Sequence, residues 1–224
     1  MIKAILSFFS SLLLLLSACD TTDTSASFPT DARDFMIAGN PGTELTYSNI
    51  ESNIDTNGVE TITRNDTVTW TVMNRTSPHP SGGQSVLIKQ NHTLKYAYPT
   101  DSTYLSFRNS GIAYYESFKD HDPEWALVTP LTVGSQWIRI KSPTTVKSVG
   151  EIVNTTFKPL KAVRLEFGYS SDSTQGYFVT DLQTHYYAPE LFLVRRDYLT
   201  KETFANKKTR IHRNVYDLIR YTKK

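Results

Sequence analysis

The chain has 224 residues, and its 24 Lys and Arg nearly balance 22 Asp and Glu, for a formal net charge of +2 at pH 7. No module signature for base or phosphate recognition appears, which argues against a nucleic-acid partner. The single cysteine excludes an intrachain disulfide framework. The length suits one domain with a substantial hydrophobic core.

The first 18 residues have the pattern of a secretory signal. Lys3 gives a positive start, and residues 4–16 form a short, mostly apolar run. A bilayer-spanning helix needs roughly 20 apolar residues, so this run is too short for a comfortable membrane anchor. A charged start, a short apolar core and small residues after it are typical of a cleaved signal. We therefore predict that residues 1–18 are a signal peptide.

The signal ends in Leu16-Ser17-Ala18-Cys19, which resembles the lipobox of bacterial lipoproteins. The resemblance implies cleavage before Cys19 and lipidation of that residue. The alternative is a plain signal peptide with an incidental cysteine, but an unpaired thiol would be a liability in an oxidising envelope. Each buried CH₂ of an acyl chain contributes about 0.8 kcal/mol, so lipidation would hold the body at a membrane.

These features predict a lipid-anchored protein of the bacterial cell envelope, with its body in the periplasm or outside the cell. Asp20 resembles the inner-membrane retention signal of enteric bacteria, which other bacteria do not follow, so the inner and the outer membrane both stay open. Residues 19–30 are small and polar, which predicts a lipidated cysteine followed by a flexible tether. Residues 31–224 are expected to form one β-rich globular domain.

From about Thr43 onward the sequence favours strands. In TVTWTVM, Val68, Trp70 and Val72 share one face and threonines share the other. Residues 162–169, AVRLEFGY, repeat this period of two, and turn signals such as Asn57-Gly58 separate the strands. Many short strands at this spacing predict an all-β fold in a single domain: a curved antiparallel sheet, a half-open β-barrel or a sandwich.

The last segment, residues 210–224, is ambiguous between helix and strand. Its apolar residues have helical spacing, but its Tyr, Val and Ile favour a strand, which is the preferred interpretation. Residues 195–224 carry ten Lys and Arg and three Asp and Glu, a net of +7. On a tethered protein this predicts contact with anionic headgroups, and the alternative is a solvated basic edge.

Two stretches of the body, residues 130–140 and 185–196, resemble landmarks of a loose group of uncharacterised bacterial envelope lipoproteins. The matching residues are Pro130, Leu131, Gly134 and Trp137 in the first stretch, and Tyr186, Tyr187, Ala188, Pro189, Leu193, Val194 and Arg195 in the second. Glu190 and Phe192 depart from the group, which often has glycines there. The resemblance covers about a third of the chain and implies a curved antiparallel sheet, similar to the half-barrels of lipoprotein carriers, but no activity.

The densest polar cluster is KDHDPEW, residues 119–125. Its carboxylates could bind a hard cation, but the spacing lacks the glycine and the distal Glu of a calcium loop, so we predict no metal site. An acidic loop between strands is the preferred interpretation. The alternative is an envelope hydrolase that uses the acidic and histidine cluster around residues 120–124, and it requires several residues to converge in a pocket: Asp120, His121, Asp122, Glu124 and His185. No cofactor motif or nucleophile elbow is recognisable, so neither a cofactor nor a catalytic residue is predicted.

Aromatic residues supply the candidate ligand site. Adjacent tyrosines in a strand point to opposite faces, so Tyr114 with Tyr115, and Tyr186 with Tyr187, each place one ring inward. Inward rings could line a ligand cavity with the hydroxyl as a polar handle, although Tyr is also simply a common strand residue. The candidate ligand-lining residues are Tyr114, Tyr115, Tyr186, Tyr187, Trp70 and Trp137.

Together these features predict a membrane-anchored envelope lipoprotein with a non-catalytic binding or assembly role. The expected partner is an apolar or lipid-like ligand, or another envelope protein. The ligand role predicts a closed or half-closed cavity with apolar walls. The assembly role predicts a filled core and an exposed aromatic patch of a few hundred Å².

Overall fold

The computed structural model describes most of the body of the chain, at residues 27–78, 84–94, 102–108, 111–115, 124–139, 142–173 and 177–224. These residues hold a short 3₁₀ helix, Ala32–Phe35, and twelve strands. The strands are β1 (Glu44–Ile54), β2 (Glu60–Pro78), β3 (Gln84–His92), β4 (Ser102–Arg108), β5 (Gly111–Tyr115), β6 (Glu124–Val128), β7 (Gln136–Arg139), β8 (Ser142–Asn154), β9 (Pro159–Ser173), β10 (Tyr177–Ala188), β11 (Phe192–Thr203) and β12 (Thr209–Thr222).

The strands form one antiparallel sheet in the order β6-β5-β4-β3-β2-β1-β12-β11-β10-β9-β8-β7. Strands that follow each other along the chain are neighbours, and the first strand also pairs with the last, where Tyr47 of β1 lies opposite Leu218 of β12. The prediction of an all-β, curved antiparallel sheet is confirmed. The preference for a final strand over a helix is confirmed as well, because residues 209–222 form β12.

The two edge strands, β6 and β7, come together and almost close the sheet into a barrel. The indole Nε1 of Trp137 donates a hydrogen bond to the backbone oxygen of Trp125, at 2.9 Å. Beside this bond, Arg139 of β7 forms an ion pair with Glu124 of β6. Side chains, rather than a backbone ladder, therefore hold the edges together.

The hydrophobic core fills one end of the sheet, which we call the closed end. The period-two face of β2 points into it, and Val68, Trp70 and Val72 are all buried. Residues 28–37 lie across this end, and Phe35 and Ile37 within them are fully buried. Among the described residues, the inward apolar side chains and this segment pack together into one core cluster at the closed end.

Phe28 belongs to the predicted tether but packs into the body. Its ring meets that of Phe35 edge to face, with 6.0 Å between the centroids. It also lies against Gly150, whose φ of +77° favours glycine and where a Cβ would come within 3.3 Å of the Phe28 ring. A backbone hydrogen bond also holds Thr30 against the body, because Leu131 N donates to Thr30 O at 2.9 Å.

The turn between β10 and β11 forms without a glycine. Glu190 and Phe192 adopt φ of 62° and 61°, a region that side chains other than glycine rarely occupy. Two backbone bonds hold the turn against the 28–37 segment: Ala38 N to Glu190 O at 2.7 Å, and Glu190 N to Asp34 O at 2.8 Å. Burial of Phe192 adds to these bonds and offsets the cost of the strained backbone.

The hairpin between β11 and β12 offers a simple test of backbone strain. Lys207 is exposed and has a φ of 63°. Because glycine adopts this conformation without steric cost, we expect Lys207→Gly to raise the free energy of unfolding by about 0.5–1 kcal/mol. Urea denaturation measures the change. The neighbouring exposed Lys208→Gly is the control and should be neutral or destabilising, so equal losses in both variants would contradict the argument.

Candidate functional site

The inner face of the sheet changes from apolar to polar beyond the core. Tyr47 and Tyr216 stack on the inner face, with 4.5 Å between their ring centroids, and mark the boundary. The strands β1, β10, β11 and β12 continue past these rings toward the far hairpins. Their inward positions enclose a cavity of about 480 Å³, the outer cleft, whose lining includes Asn49, Asn53, Gln183, Arg196, Tyr198 and Asn214.

Hydrogen bonds order the side chains of the outer cleft. Asn214 Nδ2 donates to Asn49 Oδ1 at 2.7 Å, and Arg196 Nη2 donates to Asn214 Oδ1 at 3.3 Å. The guanidinium of Arg196 also lies 5.2 Å from the centre of the Tyr216 ring, in a cation–π contact. The cleft therefore presents fixed amides, a hydroxyl and the Arg196 guanidinium, beside the Glu51–Arg64 ion pair and the side chains of His212 and Arg213.

A second, smaller cavity of about 210 Å³, the inner chamber, lies between the outer cleft and the edge strands. Gln183 and Arg196 line both cavities, so the two are neighbours. Other residues that line the inner chamber are Trp70, Tyr114, Glu124, Arg139, His185 and Tyr187.

Arg139 organises the inner chamber. Its guanidinium is buried, paired with Glu124, and packed 4.9 Å from the centre of the Phe167 ring. Its Nη1 donates to His185 Nδ1 at 3.1 Å and to the Tyr187 hydroxyl at 3.3 Å. One cation thus fixes a carboxylate, an imidazole and a phenol.

The protonation of His185 follows from these contacts. Its pKa lies well below the usual range because the ring is fully buried and because the Arg139 and Arg196 guanidinium groups repel a second positive charge. The neutral ring must accept at Nδ1, since a guanidinium can only donate. The proton therefore sits on Nε2, and this buried N–H has no hydrogen-bond partner within the described part of the chain.

The six candidate ligand-lining residues divide into two groups. Trp70, Tyr114 and Tyr187 line the inner chamber. Tyr115 packs instead with Tyr104 and Ala113 in a separate small cluster. Tyr186 lies on the opposite face of β10 from Tyr187, and Trp137 closes the sheet edge. The sequence-based ligand role of all six stays a prediction.

The hydrolase cluster is only partly described. Asp120, His121 and Asp122 lie outside the described residues, as does the predicted lipidation site, Cys19. Glu124 and His185 do line one cavity, but Arg139 lies between them and contacts both. Among the described residues, no three His, Cys, Asp or Glu side chains come together as a metal site. No helix within these residues is long and apolar enough to cross a bilayer.

The sequence analysis did not predict five residues that line the two cavities: Arg139, Arg196, Gln183, Asn49 and Asn214. One signal was visible in the sequence. His212, Asn214 and Tyr216 occupy every second position of β12 and so share one face, which changes from polar to aromatic toward the core. What could not be read locally is which strands face each other across the cavity. Asn49 and Asn214 are 165 residues apart in the chain.

The basic segment 195–224 does not form one surface. Arg195 and Arg213 pair with Asp197 on the outside of the sheet, while Arg196 points inside. The exposed cations split between the two ends of the sheet: Lys201, Lys207, Lys208 and Arg210 near the cleft, and Arg220, Lys223 and Lys224 at the closed end.

No protein-family model matches the chain, and no curated protein matches it. Two solved structures are similar. One is a candidate exported protein with a YmcC-like fold from Bacteroides fragilis, with 12% identity, a TM-score of 0.48, and coverage of 85% of this chain and 100% of that one. The other is a candidate lipoprotein from Parabacteroides distasonis, with 13% identity, a TM-score of 0.42, and coverage of 84% and 99%.

Proposed function

We propose that the chain is a lipid-anchored envelope lipoprotein with a non-catalytic binding role, and that its outer cleft binds a polar ligand. The lipobox resemblance at Cys19 supports the anchor. The polar inner face supports the binding role: the strands extend past the filled core, and their inward amides, Tyr198 and Arg196 enclose about 480 Å³.

The chemistry of the walls argues against an apolar ligand. An apolar ligand in this cleft would strip water from amides and guanidinium groups without replacing their hydrogen bonds, which is costly. A ligand rich in hydroxyls, amides or charged groups would replace these bonds. The expected apolar-walled cavity is therefore replaced in this proposal by a polar one.

The assembly role has less support. It predicts an exposed aromatic patch, but Phe178 is the only largely exposed aromatic side chain among those described. A shallow outer groove lined by Ile54, Leu182, Leu199 and Ile211 is apolar, yet it holds no aromatic anchor apart from part of Tyr198.

Within the basic segment 195–224, the cations that suit contact with anionic headgroups lie at the closed end. Arg220, Lys223 and Lys224 are exposed there, at the end where residues 28–37 cross the sheet. Lys223 lies 3.8 Å from the exposed Glu190, a pair too solvated to neutralise it fully. We propose these three cations, rather than the whole segment 195–224, as the part of the chain that meets lipid headgroups.

The hydrolase alternative keeps one observation in its favour, namely that Glu124 and His185 line the same chamber. Arg139 works against acid–base catalysis by this pair. It forms an ion pair with the Glu124 carboxylate, and burial, together with the Arg139 and Arg196 charges, lowers the pKa of His185, which makes the ring a weaker general base. A binding role requires no proton transfer by these groups, and it is the role that we propose.

Native mass spectrometry tests the proposal. Residues 20–224, exported to a bacterial envelope and purified, should carry extra mass that is lost on denaturation and that partitions into water rather than organic solvent. Asn214→Leu removes an amide of the cleft and should abolish the adduct. Asn91→Leu makes the same change at an exposed position on β3 and should retain it. A clean apo mass, an apolar adduct, or an adduct indifferent to Asn214→Leu would contradict the proposal.

A further inference from the structure

The inner chamber contains buried hydrogen-bond donors that nothing in the described structure satisfies. One is the Nε2–H of His185, whose side chain is almost fully buried. A second is the Nε–H of Arg196, and a third is the indole Nε1–H of Trp70. His185 and Arg196 face each other directly across the β10–β11 ladder, so their Cβ atoms are about 5 Å apart on the same face of the sheet. Two neighbouring unsatisfied donors are costly unless an acceptor joins them.

The net charge of the inner chamber is positive, which favours a negatively charged hydrogen-bond acceptor. Glu124 also lines the chamber, but its charge is paired with Arg139. Arg196 has no carboxylate within ion-pair distance among the described residues; its nearest partners are the neutral Asn214 and the Tyr216 ring. With His185 neutral, the lining residues carry a net charge of +1, held in a site where screening by solvent is weak.

We propose that the inner chamber is an oxyanion subsite, which takes a carboxylate or phosphate group of the ligand between Arg196 and the Nε2–H of His185. This inference rests on the proposed binding role of the outer cleft, since Gln183 and Arg196 line both cavities and connect them. A guanidinium can bind such a group with two parallel hydrogen bonds, which gives both strength and orientation.

The network behind His185 serves as a support for this subsite. Arg139 and the Tyr187 hydroxyl both lie near Nδ1, at 3.1 Å each, and fix the tautomer that places a proton on Nε2. His185 therefore donates as the neutral ring, because burial and the Arg139 and Arg196 charges hold its pKa well below the usual value.

Matched pairs of small probes test the subsite. Isothermal titration of residues 20–224 would compare glucuronate with glucose, and glycerol 3-phosphate with glycerol. We expect at least one acid to bind at least tenfold more tightly than its neutral counterpart. The acid that binds better shows whether the group is a carboxylate or a phosphate. Arg196→Gln should remove the preference, whereas Lys161→Gln, which also removes one positive charge but at an exposed position on β9, should keep it.

A second readout covers the case in which Arg196→Gln fails to fold. The Nε2–H proton of His185 should give an imidazole signal in the wild-type NMR spectrum, and this signal should shift on addition of the preferred acid. Equal affinity for acids and neutral probes, no binding of any probe at 50 mM, or an unmoved His185 signal would overturn the inference. An adduct in native mass spectrometry without any acid preference would refute the subsite but leave the binding role of the outer cleft standing.

Discussion

Replacing Arg139 by methionine should lower the free energy of unfolding by about 3–5 kcal/mol. The change would leave the Glu124 carboxylate without its cation in a largely buried site, and would remove one of the two groups that lie 3.1 Å from the Nδ1 of His185. It would also remove the side chain that joins the two edge strands beside the Trp137–Trp125 bond. Urea denaturation followed by tryptophan fluorescence measures the loss.

The double variant Glu124→Gln/Arg139→Met separates the unpaired charge from the lost contacts. Because it removes both charges, it should be clearly more stable than Arg139→Met alone. Arg164→Met, which breaks a more exposed pair with Glu166, should cost no more than about 1 kcal/mol. Similar losses in Arg139→Met and Arg164→Met would show that the edge network contributes little.

Asp66→Asn should cost about 2–3 kcal/mol at pH 7, and the difference from the wild type should vanish in acid. Burial alone would raise the pKa of Asp66, but hydrogen bonds from Thr93, His92 and the backbone of Leu94 and Thr67 outweigh it and lower the pKa to about 2. Since the folded pKa lies below the unfolded value, the stabilisation is present above about pH 4. It is lost as the pH falls toward 2.

Unfolding free energies measured between pH 2 and pH 7 check this prediction. The wild-type curve should fall below pH 4 more steeply than that of Asp66→Asn, until the two meet. His92→Gln retains the other three hydrogen bonds to the carboxylate and should reproduce only part of the effect. Parallel curves for wild type and Asp66→Asn would mean that the carboxylate titrates alike in the folded and unfolded chains.

The fold was largely predictable because each strand signals itself locally. Val68, Trp70 and Val72 alternate with threonines, and that period suffices to place β2 with one face in the core. The final strand was harder, since its apolar residues suit both periods. Its pairing with β1, at the opposite end of the chain, settles the choice.

The site was not predictable in the same way. Its walls depend on strand pairings between distant segments, such as β1 with β12, and on two edge strands that meet through side chains. A polar residue on an inward position, such as Asn214, looks like any solvated strand residue until the sheet is known to curve around it. The aromatic candidates were visible locally, and three of the six reached the inner chamber.

The position of residues 28–37 across the closed end determines how the protein would stand on a membrane. If Cys19 carries the lipid, the eight residues from there to residue 27 span at most about 28 Å, so the closed end lies next to the bilayer. The β1–β2 and β11–β12 hairpins, and the mouth of the outer cleft between them, then point away from the lipid. Such a protein would bind ligands from the aqueous space above its membrane. Its ligand would reach the cleft by diffusion through that space rather than by extraction from the leaflet beneath.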